Sequence, residues 1–353
     1  MPPLPQRVPL TSQICAVLRT EIADGTYQGS LPGELVLARR LHVGRASLRA
    51  ALDVLQSEGL LRVSQGKPRE IVAAPVHPAR PSPPLSRVVI LSKDRYFHLT
   101  AGSLLWIDAL RSLLTSAGLS LEFSASAASA MSRPARRLDA LVALFPGTIW
   151  LLLRCGPETQ RWFASKGLPA VIAGSKHASI NLPGVDWDYF AACRHAATRL
   201  LARGTQRPGI VIPRTLLAGD RESAAGFRDG CGPHGFITIQ HDGSPDGLRR
   251  ALDTTMDRPD APDGLLVCHS THTLTVVSRL LQLGRRIPHD VRIISRDDDP
   301  ILSHLVPEPA RYAVPPDPFA ARLARLILAW VNGKGPPPQS DLVLPDFIDG
   351  PSL

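Results

Sequence analysis

Residues 31–61 constrain the fold of this 353-residue chain more than any other segment. They predict a helix over 34–41, a turn over 42–44 and a second helix over 45–58, which Gly59 ends. The second helix places apolar side chains at i, i+3, i+4 and i+7, the spacing of a buried face: Leu48, Ala51, Leu52 and Leu55. Two short helices joined by so tight a turn predict a helix-turn-helix.

A further helix precedes this segment, and a hairpin follows it. Thr11 can cap the first helix, whose apolar face is predicted to consist of Ile14, Val17, Leu18 and Ile22. Short strands over 60–63 and 69–72 flank a turn at 64–67, and this hairpin is the wing. Three helices followed by a hairpin predict a winged helix-turn-helix.

Basic side chains gather around the turn, the second helix of the motif and the wing. The chain carries 40 Lys+Arg against 31 Asp+Glu, an excess that fits a polyanionic partner. A winged helix places one helix in the major groove of DNA, where an arginine holds guanine or a phosphate through two hydrogen bonds. The candidate DNA contacts are Arg39, Arg40, Arg45, Ser47, Arg49, Lys67 and Arg69.

The run RASLRAAL at residues 45–52 resembles the N-terminal domain of GntR-family transcriptional regulators, and the likeness extends over about 10–72. This resemblance implies DNA binding. The chain departs from the family at Leu35, where the family has a DNA-contacting arginine, at Gly44, where it has a capping serine, and at Ala50, where it has glutamate. The operator sequence therefore does not follow from the resemblance.

Prolines separate this part from the rest of the chain. Residues 75–84 contain so many prolines that neither a helix nor a central strand can form, which predicts a semi-rigid extended linker. The predicted domains are a DNA-binding head over 1–74, the linker over 75–86 and a sensor domain over 87–353.

From Val88 onward, short apolar runs alternate with amphipathic helices. The predicted strands cover 88–91, 119–123, 149–153, 170–173, 209–212, 236–240, 264–268 and 291–295. The predicted helices cover 104–117, 157–166, 190–203, 221–229, 245–256 and 271–283. This alternation predicts an α/β fold with parallel sheets covered on both faces, and its length suits two lobes with a cleft between them.

Two stretches resemble the periplasmic-binding-protein-like sensor of LacI/GalR-family regulators: 183–188 with 191–204, and 283–300. The likeness covers about 88–350 and implies two lobes that close on a small-molecule effector. The family usually has Asn-Asp at His269-Ser270 and an effector-binding arginine at Ser223. Arg221 is an alternative source of that guanidinium.

Polar side chains just beyond the predicted strands are the candidate effector contacts, because open parallel sheets bind ligands beyond the carboxyl ends of their strands. Such groups can hydrogen-bond a polyol, with aromatic side chains as an apolar wall. The candidates are Asp94, Tyr96, Trp187, Arg221, His269, Ser270 and Asp297. We expect Asp298 to hold its loop; the alternative for residues 297–299 is that all of them cap the next helix.

Other kinds of chemistry have little support. The five cysteines are scattered without a CxxC pair, which is typical of a reduced chain with neither a disulfide framework nor a structural zinc. No apolar run reaches membrane-spanning length and no secretory signal is evident, so we expect a cytoplasmic protein. The GxGxxG match at 230–235 follows a helix and contains proline, which indicates a loop. His269 and His272 are spaced for one helix face, but we expect no metal and no cofactor.

The sequence therefore predicts a non-enzymatic transcriptional regulator, with repression favoured over activation. Its expected partners are operator DNA, a small-molecule effector of the carbohydrate class and a second copy of itself. The alternative is a small-molecule-binding or enzymatic protein whose N-terminal helices serve protein association.

Overall fold

The computed structural model describes residues 9–23, 26–27, 29–63, 69–72, 85–214 and 217–353. The predicted wing turn at 64–67, with Lys67, and the predicted linker up to residue 84 lie outside these ranges. The described residues belong to two compact units. One combines the residues up to His98 with Ala117–Ala170 and Trp330–Gly335, and the other combines Leu99–Ser116, Val171–Ala329 and Pro336–Leu353.

The head has the predicted winged helix-turn-helix. Its elements are α1 (Leu10–Ala23), α2 (Glu34–Arg40), α3 (Arg45–Ser57), β1 (Leu61–Arg62) and β2 (Glu70–Ile71). The strands β1 and β2 pair antiparallel, and Ser30 adds a bridge to Glu70 at the edge of this wing. The prediction that Thr11 caps α1 is wrong, since the helix begins one residue earlier and includes Thr11.

The apolar faces of α1 and α3 form the core of the head. The predicted face of α3 is fully buried, as are Ile14 and Leu18 of α1, whereas Val17 is 43% exposed. Gly59 has φ +77°, a left-handed conformation that favours glycine, and α3 ends just before it as predicted. Gly44, which precedes α3, supplies no side-chain cap.

The remaining elements follow the predicted alternation. The strands are β3 (Arg87–Ser92), β4 (Ser120–Ala125), β5 (Thr148–Leu153), β6 (Ala170–Ala173), β7 (Gly184–Trp187), β8 (Pro208–Pro213), β9 (Ile237–His241), β10 (Gly264–Val267), β11 (Arg292–Ser295), β12 (Ala310–Ala313), β13 (Ser340–Val343) and β14 (Asp346–Ile348). The helices are α4 (Ala101–Ser116), α5 (Ala135–Ala143), α6 (Pro157–Lys166), α7 (Tyr189–Ala202), α8 (Ala218–Cys231), α9 (Pro245–Met256), α10 (Ser270–Gln282) and α11 (Pro316–Val331). Every predicted strand and helix is present, with bounds shifted by a few residues.

Parallel pairing dominates in both units. In the first unit, β3 pairs in parallel with β4 on one side and with β5 on the other. In the second unit, β7 pairs in parallel with β6 and with β13. A six-stranded sheet in the same unit has the order β14-β12-β11-β10-β8-β9, and only its β12–β14 pair is antiparallel.

Both faces of the six-stranded sheet are covered, as the apolar runs predicted. Alternate residues of one strand point to opposite faces of a sheet. Ile210 and Leu266 pack with α7 and α8 on one face, while Val211 and Leu265 pack with α9 and α10 on the other. The carboxyl ends of β8, β10 and β11 consequently meet at one edge between two apolar layers.

All five cysteines are buried and unpaired. Among the described residues, no helix is long and apolar enough to cross a bilayer.

Candidate functional site

The first candidate site is the outer face of α3 in the head. Arg45 and Arg49 are exposed there, and Ser47 is half-buried. On the preceding helix α2, Arg39 is exposed as well. Because the apolar side of α3 is buried in the head, these side chains project from the part of the helix that remains accessible.

Glu34, at the start of α2, connects two of the predicted DNA contacts. Its carboxylate accepts a hydrogen bond of 2.9 Å from Arg49 Nη2 and lies 3.1 Å from Arg69 Nη1. Arg69 also lies 3.6 Å from Asp53. The hydrogen bond from Arg49 lowers the pKa of Glu34, and the positive charges of Arg49 and Arg69 act in the same direction. Glu34 therefore holds two guanidinium groups beside the accessible face of α3.

Arg40 has a different environment from the other predicted DNA contacts. It donates two hydrogen bonds to the Glu21 carboxylate of α1, at 2.8 and 2.5 Å, and a third to the Tyr27 hydroxyl. Burial, with the hydrogen bond to Glu21, raises the pKa of Tyr27 to about 12. Arg40 thus ties α2 to α1 within the head.

The second candidate site lies at the carboxyl ends of β10 and β11 and is organised by Arg296. The side chain of this arginine is 3% exposed. Its Nε and Nη2 atoms donate to both carboxylate oxygens of Asp297, at 2.9 and 3.1 Å. Its Nη1 atom donates to Asp220 at 3.1 Å and to the Ser223 hydroxyl at 2.8 Å. The guanidinium lies 4.3 Å from the centre of the Tyr189 ring, within cation–π range.

His269 joins the same two carboxylates from the side that remains partly open. Its Nε2 atom lies 3.5 Å from Asp220 Oδ1, and its Nδ1 atom lies 3.4 Å from Asp297 Oδ2. Burial by itself lowers the pKa of His269, but the two carboxylates outweigh it and the pKa is raised above its ordinary value. An imidazole with a carboxylate at each nitrogen is best satisfied as the doubly protonated cation.

The two carboxyl groups of this cluster ionise readily in spite of their burial. Burial raises the pKa of Asp297, but the charge of Arg296 and the hydrogen bond with His269 together hold that pKa well below its usual range. For Asp220 the opposing causes are again burial, which raises the pKa, and then His269 and Arg296, which lower it. Arg296 and a protonated His269 balance the two negative charges. The cluster is therefore nearly neutral overall, with Arg296 and Asp220 buried and His269 and Asp297 partly exposed.

The fixed geometry continues into the surrounding backbone. Thr273 donates to the Ser295 hydroxyl, and that hydroxyl donates to the carbonyl of Asp297 at 2.7 Å. Asp298 accepts a hydrogen bond of 2.7 Å from Arg311, which is the loop-holding contact expected of it. Asp299 caps the following short helix by accepting from the Ile301 amide. The three aspartates thus have different environments.

Further histidines lie beside the cluster. The ring of His272 meets the rings of His269 and His241 edge-on, with centroid distances of 5.0 and 4.5 Å. Burial, followed by the charge of His269, lowers the pKa of His272 to about 3. Among the described residues, no group of three or more His, Cys, Asp or Glu side chains is placed to hold a metal ion.

The other predicted effector contacts of the second unit lie in different surroundings. Ser270 begins α10 and is buried, and its hydroxyl has no hydrogen-bond partner within the described part of the chain. Trp187 stacks on Phe319, with ring centroids 4.0 Å apart. Arg221 is exposed on α8, turned away from its neighbour Asp220, which is buried in the cluster.

Asp94 and Tyr96 belong to the first unit. Asp94 follows β3, and its carboxylate lies 3.4 Å from Arg154 Nε. Tyr96 meets Phe123 edge-on at 5.4 Å and is 38% exposed.

The sequence prediction missed Arg296, Asp220 and Tyr189. Arg296 directly follows the predicted end of β11, so its position beyond a strand was a usable signal. The resemblance to LacI/GalR-type sensors placed an arginine at the position of Ser223. Here the hydroxyl of Ser223 instead accepts a hydrogen bond from Arg296, which follows strand β11 and does not lie on α8. Arg221, the alternative source considered from sequence, has no such contact among the described residues.

Comparison with known proteins bears on both sites. The model of the periplasmic binding protein-like domain matches residues 158–353, and that of the gntR family of bacterial regulatory proteins matches 10–71. The HTH-type transcriptional regulator CelR of Thermobifida fusca is 25% identical over 156 residues, which are 42% of this chain and 46% of that protein. The matched region therefore spans less than half of that relative's length.

Solved structures share the fold. A transcriptional regulator CelR–cellobiose complex has a TM-score of 0.67 at 18% identity, covering 91% of this chain and 100% of that one. A LacI-family regulatory protein from Chloroflexus aggregans has a TM-score of 0.66 at 16% identity, covering 75% and 97%. A LacI-family transcriptional regulator from Enterococcus faecium with bound ribose has 0.61 at 15%, covering 76% and 98%. The chain thus belongs to the periplasmic binding protein-like domain family, and it carries a gntR-family helix-turn-helix ahead of that domain.

Proposed function

We propose that this chain is a sequence-specific DNA-binding transcriptional repressor whose sensor domain, over residues 87–353, binds a small-molecule effector. The observation that carries the proposal is the two-sided character of α3, where Arg45 and Arg49 are exposed while Leu48 and Leu52 are buried. A helix of this kind can enter the major groove and present arginines to base edges or phosphates. The gntR-family match over the head supports the same role.

Binding to genomic DNA fragments, including the region upstream of its own gene, tests the DNA-binding part. We expect a preferred fragment, and we expect Arg45→Ala and Arg49→Ala each to cost about 1–3 kcal/mol of binding free energy if they contact bases. Arg161→Ala is the matched control, because Arg161 and Arg49 have side chains that are both 57% exposed and both ion-paired to a glutamate. Equal binding to all fragments would overturn the proposal.

The acidic side chain beside α3 gives a sharper test of the same surface. Glu34 holds Arg49 and Arg69, and it places one negative charge near the proposed phosphate contacts. Glu34→Gln should therefore tighten DNA binding at low salt severalfold, because it removes a repulsion and releases two arginines. Weaker DNA binding by this variant would show that Glu34 positions those arginines for DNA.

The effector site that we propose consists of His269 and Asp297, with Arg296 behind them as the group that orients Asp297. A polar surface of fixed donors and acceptors suits a ligand with many hydroxyl groups. Trp187 can add an apolar wall, as aromatic side chains do in ligand sites. The cellobiose and ribose bound by proteins of this fold support a carbohydrate effector.

A thermal-shift screen of neutral sugars tests this site, since a ligand that binds only the folded protein raises its melting temperature. We expect one sugar to raise it, and we expect Asp297→Asn and His269→Ala to abolish the shift. Arg228→Ala, on the exposed side of α8, is the control that should retain it. A shift that survives both site changes would place the effector elsewhere.

We propose further that the regulator acts in the cytoplasm as a homodimer on a two-fold operator, since paired heads bind paired half-sites. A second candidate function, association of the head with another protein, is favoured by Leu35 and Val36 of α2, which are 51% and 58% exposed. Light scattering of the double variant Leu35→Ser, Val36→Ser distinguishes the two. Loss of an assembly with unchanged DNA binding would assign α2 to association.

A further inference from the structure

We propose that Arg19 is a positioning residue that clamps the DNA-contacting helix α3 to strand β4 of the sensor domain. The orientation of the head is then fixed by the domain that senses the effector, and not only by the linker. This inference rests on the proposed function, because that function gives α3 its role in DNA binding.

A single guanidinium makes the connection. Arg19 lies on α1 and is 5% exposed. Its Nε and Nη2 atoms donate to the two carboxylate oxygens of Glu58, at 3.1 and 2.5 Å. Its Nη1 atom lies 3.9 Å from a carboxylate oxygen of Glu122. Glu58 is the cap residue that directly follows α3, and Glu122 lies in the middle of β4.

The surroundings of Arg19 extend the contact between the head and the sensor domain. Arg19 and Arg87 both lie over the ring of Phe145, at 5.6 and 5.9 Å from its centre. Arg87 Nε lies 3.5 Å from the second carboxylate oxygen of Glu122. Two arginines from opposite sides of the linker thus share one glutamate and one aromatic ring.

A second polar contact lies one residue farther along α1. The hydroxyl of Thr20 is 3.1 Å from the hydroxyl of Ser124 in β4. The helix α1 as a whole packs against α3 on one side and against α5 and β4 on the other. α1 is therefore an intermediate layer, so a displacement of β4 is transmitted to α3 through side chains that have little room to move.

The geometry of arginine makes the clamp directional. A guanidinium presents donors in a rigid plane, so the bidentate pair with Glu58 fixes which way the remaining Nη1 donor points. That direction is toward Glu122. Removing the Glu122 charge leaves the Arg19–Glu58 pair and the apolar core of the head intact. This change releases Arg19 from β4, and it also removes the partner of Arg87 within the sensor domain.

The distance between α3 and α5 in the full chain, measured by pulsed electron spin resonance, tests the proposal. Spin labels at Ala50→Cys and Arg136→Cys occupy exposed positions on the two helices, and labelling is selective because all five native cysteines are buried. We expect one narrow distance population in the parent chain and a broadened or second population in Glu122→Gln. Arg19→Lys, which keeps the charge but loses the planar fork, should also broaden it.

The matched control is Glu158→Gln, because Glu158 also pairs with an arginine, Arg161, but lies on α6 away from the head. It should keep the parent distance. If Glu122→Gln does not fold, Thr20→Ala removes the neighbouring contact and should broaden the distribution in its place. A distribution in the clamp variants as narrow as in the parent would overturn the proposal.

DNA binding by the unlabelled parent and clamp variants, which keep Ala50, separates this proposal from the proposed function. If the parent binds no DNA fragment preferentially but Glu122→Gln still broadens the distances, the regulator function fails and the clamp stands. If the parent binds a preferred fragment and the clamp variants keep the parent distances, the clamp alone fails.

Discussion

Arg296 is the residue on which the proposed effector site depends most. Four hydrogen bonds join its guanidinium to Asp220, Ser223 and Asp297, and Tyr189 covers one face. A buried ion pair adds little net stability as a whole, but removing one partner leaves the other charges in a medium of low polarity. Arg296 therefore matters as the counter-charge that allows two carboxylates to be buried side by side.

Replacing this arginine by an apolar side chain of similar length tests that role. Arg296→Met should lower the free energy of unfolding by about 3–5 kcal/mol, because Asp220 and Asp297 lose their common partner. Urea denaturation followed by circular dichroism measures the change. Arg221→Met, on the exposed side of α8, should shift it by less than about 0.5 kcal/mol. Equal effects of the two changes would contradict the role given to Arg296.

Asp186, on β7, makes stability depend on pH. Its burial raises the pKa to about 7, although the hydrogen bonds from Ser175 and the Trp187 amide oppose that shift. In the unfolded chain the pKa of this carboxyl group is near the ordinary value of 3.8. The folded state holds the proton more tightly, so the stabilising contribution is complete at low pH and is lost as the pH rises through about 7.

Asp186→Asn should remove this dependence. The wild type is expected to lose up to about 4 kcal/mol more than the variant between pH 4 and pH 8, which is the shift in pKa converted to free energy. Urea denaturation across that range checks it. The same slope in both proteins would show that Asp186 ionises in the folded state as it does in the unfolded one.

At the scale of elements, α7 and α8 approach each other unusually closely. A Cβ atom at Gly226 would lie 2.2 Å from the carbonyl oxygen of Phe190, which is backbone and unable to swing aside. The absence of a side chain is what allows this approach. It holds α8, which carries Asp220 and Ser223, in the position from which both reach Arg296.

The same substitution, glycine to alanine, should change the free energy of unfolding in opposite directions at two positions. Gly226→Ala should cost about 1–3 kcal/mol or more through overpacking. Gly102→Ala, inside α4, meets its nearest atom at an ordinary 3.9 Å and should stabilise by about 0.4–1 kcal/mol. Melting temperatures of the two variants decide the matter; a stabilised Gly226→Ala would mean that the helices can separate at little cost.

The sequence predicted elements best where the pattern was long or strongly apolar. The strand β5 is a continuous apolar run after Thr148 and is fully buried, and α9 has apolar residues at helical spacing along one face, so both are easily recognised in the sequence. The strand β7 covers Gly184–Trp187, where Gly184 and Asp186 interrupt any apolar run, and α11 begins among prolines that indicate a loop. These elements form because tertiary packing outweighs the local signal.

The candidate effector site was predictable only in part. Asp297 and His269 follow strands, so the rule for parallel sheets identified them. The pairing of Val267 with Ser295 places the two strand ends side by side, and this register brings Arg296 to Asp220 on α8. The sequence alone shows neither how β10 and β11 are aligned nor that Asp220 points into the protein. The sequence analysis therefore named the exposed Arg221 as an effector contact in place of Asp220.

At the scale of the whole molecule, the chain has a formal charge of +9, and its DNA affinity should fall with salt according to the number of phosphates that its side chains neutralise. Among the ion pairs of the described residues, none involves Arg39 or Arg45, so both are free to meet phosphates. Arg39→Ala or Arg45→Ala should each reduce the slope of log affinity against log salt by about 1 per head if the side chain contacts a phosphate.

Arg40→Ala is the control for that measurement, because Arg40 is already held by Glu21 and Tyr27. It should leave the slope nearly unchanged. If Arg40→Ala reduced the salt dependence of DNA affinity as much as Arg45→Ala does, Arg40 would have to leave Glu21 and Tyr27 and contact a phosphate when DNA binds.

Ser352 links distant parts of the sensor domain. Its hydroxyl donates to the carbonyl of Ile293 in β11 and accepts from the amide of Ala310 in β12, while its carbonyl accepts from the Ile293 amide. The strand that leads to Arg296 and Asp297 is thus anchored by a residue more than fifty positions away in the chain. A nonsense mutation just upstream of Ser352 would remove this anchor. Under the function proposed above, the truncated chain should then still bind DNA through its head but no longer respond to the effector.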